Sequence, residues 1–190
     1  YRVKGSKSDL ILKRSLEHFA SKGALDIDTL GEKNVVALVD DGFVKDLADI
    51  YALTKAQLLT LERFADVSAE KLVNAIGAKK QPPLERFVYG LGIRHVGVQT
   101  AIDLVGHFGS LDALTHATID ELREVDGVGE VVAESVAAWF ADDDNLALLD
   151  KFQNLGVEPH FETSSGGKFD CKKFVATGTL HSIPRHQSAE

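Results

Sequence analysis

Apolar residues recur at helical spacing along nearly the whole chain up to Gly156, as in Leu30, Val35, Leu38 and Val39, and again in Leu58, Leu61, Leu72 and Ile76. Helices are the expected architecture. Thr54 stands three residues before Gln57, and Thr118 three before Glu121. In that spacing a hydroxyl and an amide or carboxylate satisfy otherwise orphaned N–H groups at a helix start. Pro82 and Pro83 break one helix and suit the first turn of the next, so a seam near 79–83 divides the helical part in two. After Gly156 the pattern changes. Thr163–Gly167 reads as a flexible linker and Phe174-Val175-Ala176 as a short strand.

Between the helical runs lie four short turns that contain glycine or its nearest substitute: Leu30-Gly31-Glu32-Lys33, Phe64-Ala65-Asp66-Val67, Leu91 to Gly97, and Val125-Asp126-Gly127-Val128-Gly129. Their glycines, with Ala65 standing in at the second, are 34, 27 and 35 residues apart, which suggests a helix–turn–helix unit used repeatedly. Each turn leads into an amphipathic helix, such as Gly129–Phe140 with Val132, Val136, Trp139 and Phe140 on one side. Glycine just before a helix leaves the first amides of that helix pointing outward without partners. The helix dipole adds partial positive charge there, worth about 0.3–1 kcal/mol, so a phosphate oxygen is a natural ligand. The bland reading of any one such glycine is a helix cap. A series of four favours a repeated anion grip, strongest at the third and fourth turns and weakest at Ala65.

Charge sharpens this picture. The 190 residues carry a net charge of −8, which excludes coating of nucleic acid by bulk electrostatics. The distribution is polarised: residues 1–22 hold six cations against two acids, 79–95 four against one, and 110–150 one arginine against eleven acids. Acidic stretches of this kind usually form solvated helix surface. Main-chain amides would then have to carry most of any phosphate binding. Two hairpins gripping both strands across one groove would bind duplex without reading its bases. The single Cys171 can form neither an internal disulfide nor a thiolate zinc cluster, and is expected to be small and semi-exposed. The polar, basic start is not a signal peptide, and the absence of Met suggests an excised intracellular fragment.

The run Leu91-Gly92-Ile93-Arg94-His95-Val96-Gly97, followed by Thr100-Ala101 and Phe108-Gly109-Ser110-Leu111, closely resembles the helix-hairpin-helix domain of the bacterial NAD-dependent DNA ligases. Leu25-Asp26-Ile27 with Leu30-Gly31, Asp49-Ile50-Tyr51 with Leu53-Thr54, Leu61-Glu62-Arg63-Phe64 and Val125 to Gly129 agree with it. The resemblance implies a mainly α fold of four tandem helix-hairpin-helix motifs in two pseudosymmetric pairs. Lys173 to Leu180 and Arg185 resemble the opening of the family's C-terminal BRCT domain, so a short truncated BRCT-like β segment is expected to follow. The implied division is a degenerate zinc-finger remnant and leading helix at 1–20, one hairpin pair at 21–80, a second at 81–160, and linker with truncated BRCT start at 161–190.

By the same resemblance the parent is a nick-sealing enzyme of replication and repair that uses NAD and Mg²⁺. Its adenylation machinery would lie outside this chain, which is expected to be inactive alone, with no catalytic residue and no bound cofactor. The implied role here is contact with nicked double-stranded DNA on the minor-groove side, through Gly31, Lys33, Gly92, Arg94, His95, Gly97, Gly127 and Gly129. The other partners would be the remaining domains of the same ligase, the location cytoplasmic with the nucleoid, and no membrane is involved. The family's zinc ligands are matched by Val3 and Ser8, neither a plausible ligand, so no metal is expected.

Arg94 suits phosphate or groove contact, while His95 could touch DNA or fix its own turn. The other histidines lack ligand spacing, and Asp142-Asp143-Asp144 reads as a cap for the next helix. Trp139 and Phe140 are expected in the core. A glycosylase or nuclease of similar architecture would need a base-flipping pocket or a carboxylate–metal cluster, and nothing in the sequence supplies one. A protein-interaction scaffold in a repair complex, docking partners on its acidic helices, remains the alternative.

Overall fold

A computed structural model describes residues 7–161. Among these residues there are ten α-helices, one 3-10 helix and no strand. The helices are α1 (Lys7–Ala20), α2 (Glu32–Asp40), α3 (Lys55–Leu58), α4 (Asp66–Gly77) and α5 (Leu84–Gly90), then α6 (Val98–Phe108), α7 (Leu111–Thr115), α8 (Ile119–Arg123), α9 (Glu130–Phe140) and α10 (Asp143–Asn154), with the 3-10 helix at Ala48–Ala52. The expected linker at 163–167, the strand at 174–176, the BRCT-like segment, Cys171 and Val3 lie outside the described residues.

Helix starts follow the caps. The Thr54 hydroxyl accepts from the Gln57 N–H at 3.3 Å while Gln57 Oε1 accepts from the Thr54 N–H at 2.9 Å. Thr118 and Glu121 make the same reciprocal pair at 3.3 and 2.8 Å. Those hydrogen bonds, from the backbone N–H first, hold the Glu121 carboxyl below its usual range. Asp142 caps α10 by accepting from the amides of Asp144 and Asn145. Phe140 is buried and Trp139 half-buried against the core.

The chain repeats itself in three dimensions, in a register offset from the sequence spacing. Adding 66 to residue numbers carries Leu25, Ile27, Leu30, Val35 and Leu38 onto Leu91, Ile93, Val96, Ala101 and Leu104, all buried. Backbone agrees with packing: Asp26 and Gly92 have φ of +52° and +69°, Thr29 and His95 +68° and +66°. Adding 64 carries Leu58, Leu61, Phe64, Ala69, Leu72 and Ile76 onto Leu122, Val125, Val128, Ala133, Val136 and Phe140, again all buried. Gly31 therefore corresponds to Gly97, and Gly92 to Asp26, whereas the glycine spacing alone pairs Gly31 with Gly92.

Both halves share one core. Phe19 of α1, Phe87 of α5 and Phe152 of α10 meet with ring centroids 5.2–6.2 Å apart, and Tyr51 closes on Phe152 at 6.0 Å. Burial pushes the Tyr51 phenol well above its ordinary range, and its hydroxyl donates to the Lys79 carbonyl at 3.0 Å. α10 returns to the first half, where Lys151 Nζ donates to Asp46 Oδ2 and Asp49 Oδ1, each at 2.6 Å. Burial alone would push Asp49 up, but hydrogen bonds from Lys151 Nζ and the Lys45 N–H outweigh it and hold the carboxyl below its usual range. Lys151 is raised by the pair despite its own desolvation. After α10 the chain lies along the inter-half seam: the amides of Glu158 and His160 donate to the carbonyls of Lys80 and Pro82, and Leu84 donates to His160.

Candidate nucleic-acid interface

Three helices begin at a residue with no side chain to cap them. Gly31, Gly97 and Gly129 precede α2, α6 and α9 in extended backbone, with φ of −84°, −90° and −80°. Their carbonyls enter the helices, accepting from the amides of Val35, Ala101 and Ala133 at 2.9–3.0 Å. Among the described residues no acceptor takes the N–H of Gly97, Val98 or Gln99, nor of Gly129, Glu130 or Val131, nor of Gly31, Glu32 or Lys33. A Cβ placed on any of the three glycines would meet nothing within 4 Å. Each helix start thus presents unpaired donors and a positive dipole end to open space. At the fourth, α4, Ala65 has its own N–H taken by Ser68 Oγ at 2.9 Å, so that end is partly satisfied from within.

The other glycines serve the turns. Gly92 sits at φ +69° with its amide donating to the Tyr89 carbonyl at 3.2 Å, and Gly127 sits at φ +80°. Both bend the chain so that the next glycine can open its helix. Arg94 and His95 are exposed at the tip of the third hairpin, and Lys33 is exposed in the first turn of α2. All eight residues expected to touch DNA lie within turns or the first helical turn after them.

Arg63 stands in the matched run Leu61-Glu62-Arg63-Phe64 but is not among the residues expected to touch DNA. With Thr29, Gly31, Glu32, Lys33 and Asn34 it lines one shallow depression, bringing a second cation to the open start of α2. It lies before Ala65 as Gly127 lies before Gly129, and that register is the signal that could have found it. Acids temper the field: Glu32, Asp66 and Glu130 occupy the first turns of α2, α4 and α9. Asp66 is paired with Lys55 at 2.9 Å, and Lys55, also bonded to Glu70, is held above its ordinary pKa. The first turn of α6 holds no acid. With Arg94 exposed in the preceding turn, α6 offers the least opposed anion seat of the four.

His18 Nε2 lies 2.8 Å from the Tyr89 carbonyl, fixing α1 to α5. Among the described residues no group of three or more His, Cys, Asp or Glu is placed to hold a metal ion. Ser8, matched to a zinc ligand in the resemblance, is an exposed hydroxyl on α1, a side chain that does not ordinarily ligate zinc. No helix among them is long and apolar enough to cross a membrane.

The helix-hairpin-helix motif family matches residues 86–149, which covers the third and fourth turns and makes that stretch a helix-hairpin-helix unit. The chain as a whole aligns with proteins named DNA ligase. It is 47% identical over 180 residues to that of Syntrophotalea carbinolica, with 94% of this chain and 27% of that protein covered. Against that of Gemmatimonas aurantiaca it is 47% identical over 176 residues, covering 91% and 25%. Against that of Geobacter sulfurreducens it is 42% identical over 188 residues, covering 98% and 28%. The chain spans about a quarter of the length of these relatives. Over that span the chain is similar to one segment of proteins named DNA ligase.

Proposed function

We propose that this chain is the duplex-gripping region of an NAD-dependent DNA ligase that seals nicks in replication and repair. It binds the phosphate backbone from the minor-groove side without sequence preference. Its four hairpins act as two helix-hairpin-helix pairs, 21–80 and 81–160, with the remnant at 1–20 before them and a linker and BRCT start at 161–190 after them. The observation that carries the reading is the set of uncapped helix starts at Gly31, Gly97 and Gly129, repeated in register and facing open space. Lys33, Arg63, Arg94 and His95 supplement the amides, and Gly92 and Gly127 shape the turns. Where bound to the parent, NAD supplies the adenylyl group and Mg²⁺ assists transfer; this chain's residues hold the nicked duplex for that chemistry. The setting is cytoplasmic, with the nucleoid, alongside the other domains of the ligase.

The scaffold reading differs in one respect: it leaves the glycine-led helix starts without a ligand. Fluorescence anisotropy with labelled nicked and intact duplexes of unrelated sequence separates the two. Binding at low salt should be equal across sequences, and log K against log salt should fall with a slope of about −3 to −4, as expected for three or four neutralised phosphates. Absence of duplex binding at low salt, or affinity that depends on sequence, rules the proposal out.

A further inference from the structure

Outside the fourth hairpin, the acidic stretch from 110 to 150 has no part in the proposed duplex grip, and part of it borders a cavity of about 640 Å³ between α7, α10 and the segment after α10. Buried Phe87, Phe140 and Phe152 lie beneath it, and half-buried Leu111, Leu146 and Leu149 give it an apolar floor. Three exposed carboxylates, Asp112, Asp150 and Glu158, stand on its rim, and its lining contains no Lys or Arg. His116, also on the rim, donates from Nδ1–H to the Asp112 carbonyl at 2.9 Å. Duplex is excluded as the occupant, because carboxylates at the rim repel phosphates at short range.

We propose that this groove docks a basic segment of a partner protein, one that sets an aliphatic or aromatic side chain on the apolar floor and two or three lysines or arginines against Asp112, Asp150 and Glu158. Charge complementarity selects that partner. The three rim carboxylates, with no Lys or Arg in the lining, favour a cationic chain in the groove, and the partly exposed leucines supply apolar area for it to bury. The inference stands independently of the duplex reading.

The test uses the full chain and a short fluorescein-labelled peptide of leucines and lysines, spaced so that the leucines share one helical face. Saturable binding is expected, with amide shifts confined to 111–116 and 146–159. Replacing Asp112→Asn, Asp150→Asn and Glu158→Gln together should weaken it about tenfold, and the charge-matched control Asp120→Asn, Glu124→Gln and Glu134→Gln less than about twofold. Equal loss in both triple variants, shifts elsewhere or no binding would overturn the proposal. So would displacement of the peptide by duplex, or tighter binding once 162–190 is removed, which would give the groove to the chain's own tail.

Discussion

Thr29 and His95 hold the same left-handed backbone, φ +68° and +66°, at corresponding positions of two hairpins 66 residues apart. A side chain pays about 1–2 kcal/mol for that conformation, and a β-branched one most. Thr29→Gly should therefore raise stability by about 0.5–1 kcal/mol after the extra chain entropy of glycine is subtracted. The Thr29 carbonyl, which accepts from Asn34 Nδ2 at 2.7 Å, is retained in that variant. His95→Asn should stay within about 0.5 kcal/mol of the parent, and His95→Val should lose about 1–2 kcal/mol. Urea denaturation of the three variants checks the set.

The open helix starts can be closed chemically. Gly97→Ser or Gly129→Ser supplies a hydroxyl that accepts from the second or third amide of the helix, the role Ser110 plays for α7 with the Ala113 N–H at 3.1 Å. Stability should rise by a few tenths of a kcal/mol, about the difference between serine and glycine at this position. Duplex affinity should fall about two- to fivefold at each site, because the protein now occupies donors the phosphate needs. Thermal melting and anisotropy together read opposite signs. A parallel rise in both would show that the amides do not meet phosphate.

Arg63 gives a sharper electrostatic test. It lines the depression at the start of α2 with Lys33 and is itself exposed. Arg63→Gln should leave stability within about 0.5 kcal/mol. The slope of log K against log salt should become shallower by about 1, equally for every duplex sequence.

Much of this was legible in the chain. The capping pairs at Thr54 and Thr118, the Asp142 cap and the seam before Pro82 are local signals, and local hydrogen bonding honours them. The third and fourth hairpins declare themselves because Gly92 and Gly127 occupy left-handed positions there, even though His95 takes a second one in the third. The first hairpin hides its register because Asp26 and Thr29 take those conformations, so its one glycine, Gly31, aligns with the wrong partner by spacing alone. Arg63 was missed as a contact for the same reason, since its place is defined by a turn with no glycine. The Lys151 bridge to Asp46 and Asp49 spans more than 100 residues, and no local pattern announces such a pairing.

That bridge predicts a pH window. Asp49 titrates below its ordinary range, so its contribution is complete above about pH 4 and is lost as pH falls through the lowered native value. Lys151 titrates above its ordinary range, so its contribution is complete below about pH 10 and is lost as pH rises through the raised native value. Lys151→Met should cost about 1 kcal/mol between those limits, a figure discounted for side chains that are a third or more exposed. The difference in Tm between wild type and variant should shrink towards zero at either extreme, and calorimetry across pH measures it.

The clustered rings of Phe19, Phe87 and Phe152 belong to both halves at once, so a shared core sets the interval between the two sets of helix starts. A calliper locked at one setting cannot adapt to the rod it measures. If the proposed duplex grip holds, any mismatch in curvature or groove width falls to the nucleic acid, and a nick, where one strand has lost its continuity, is where such yielding costs least.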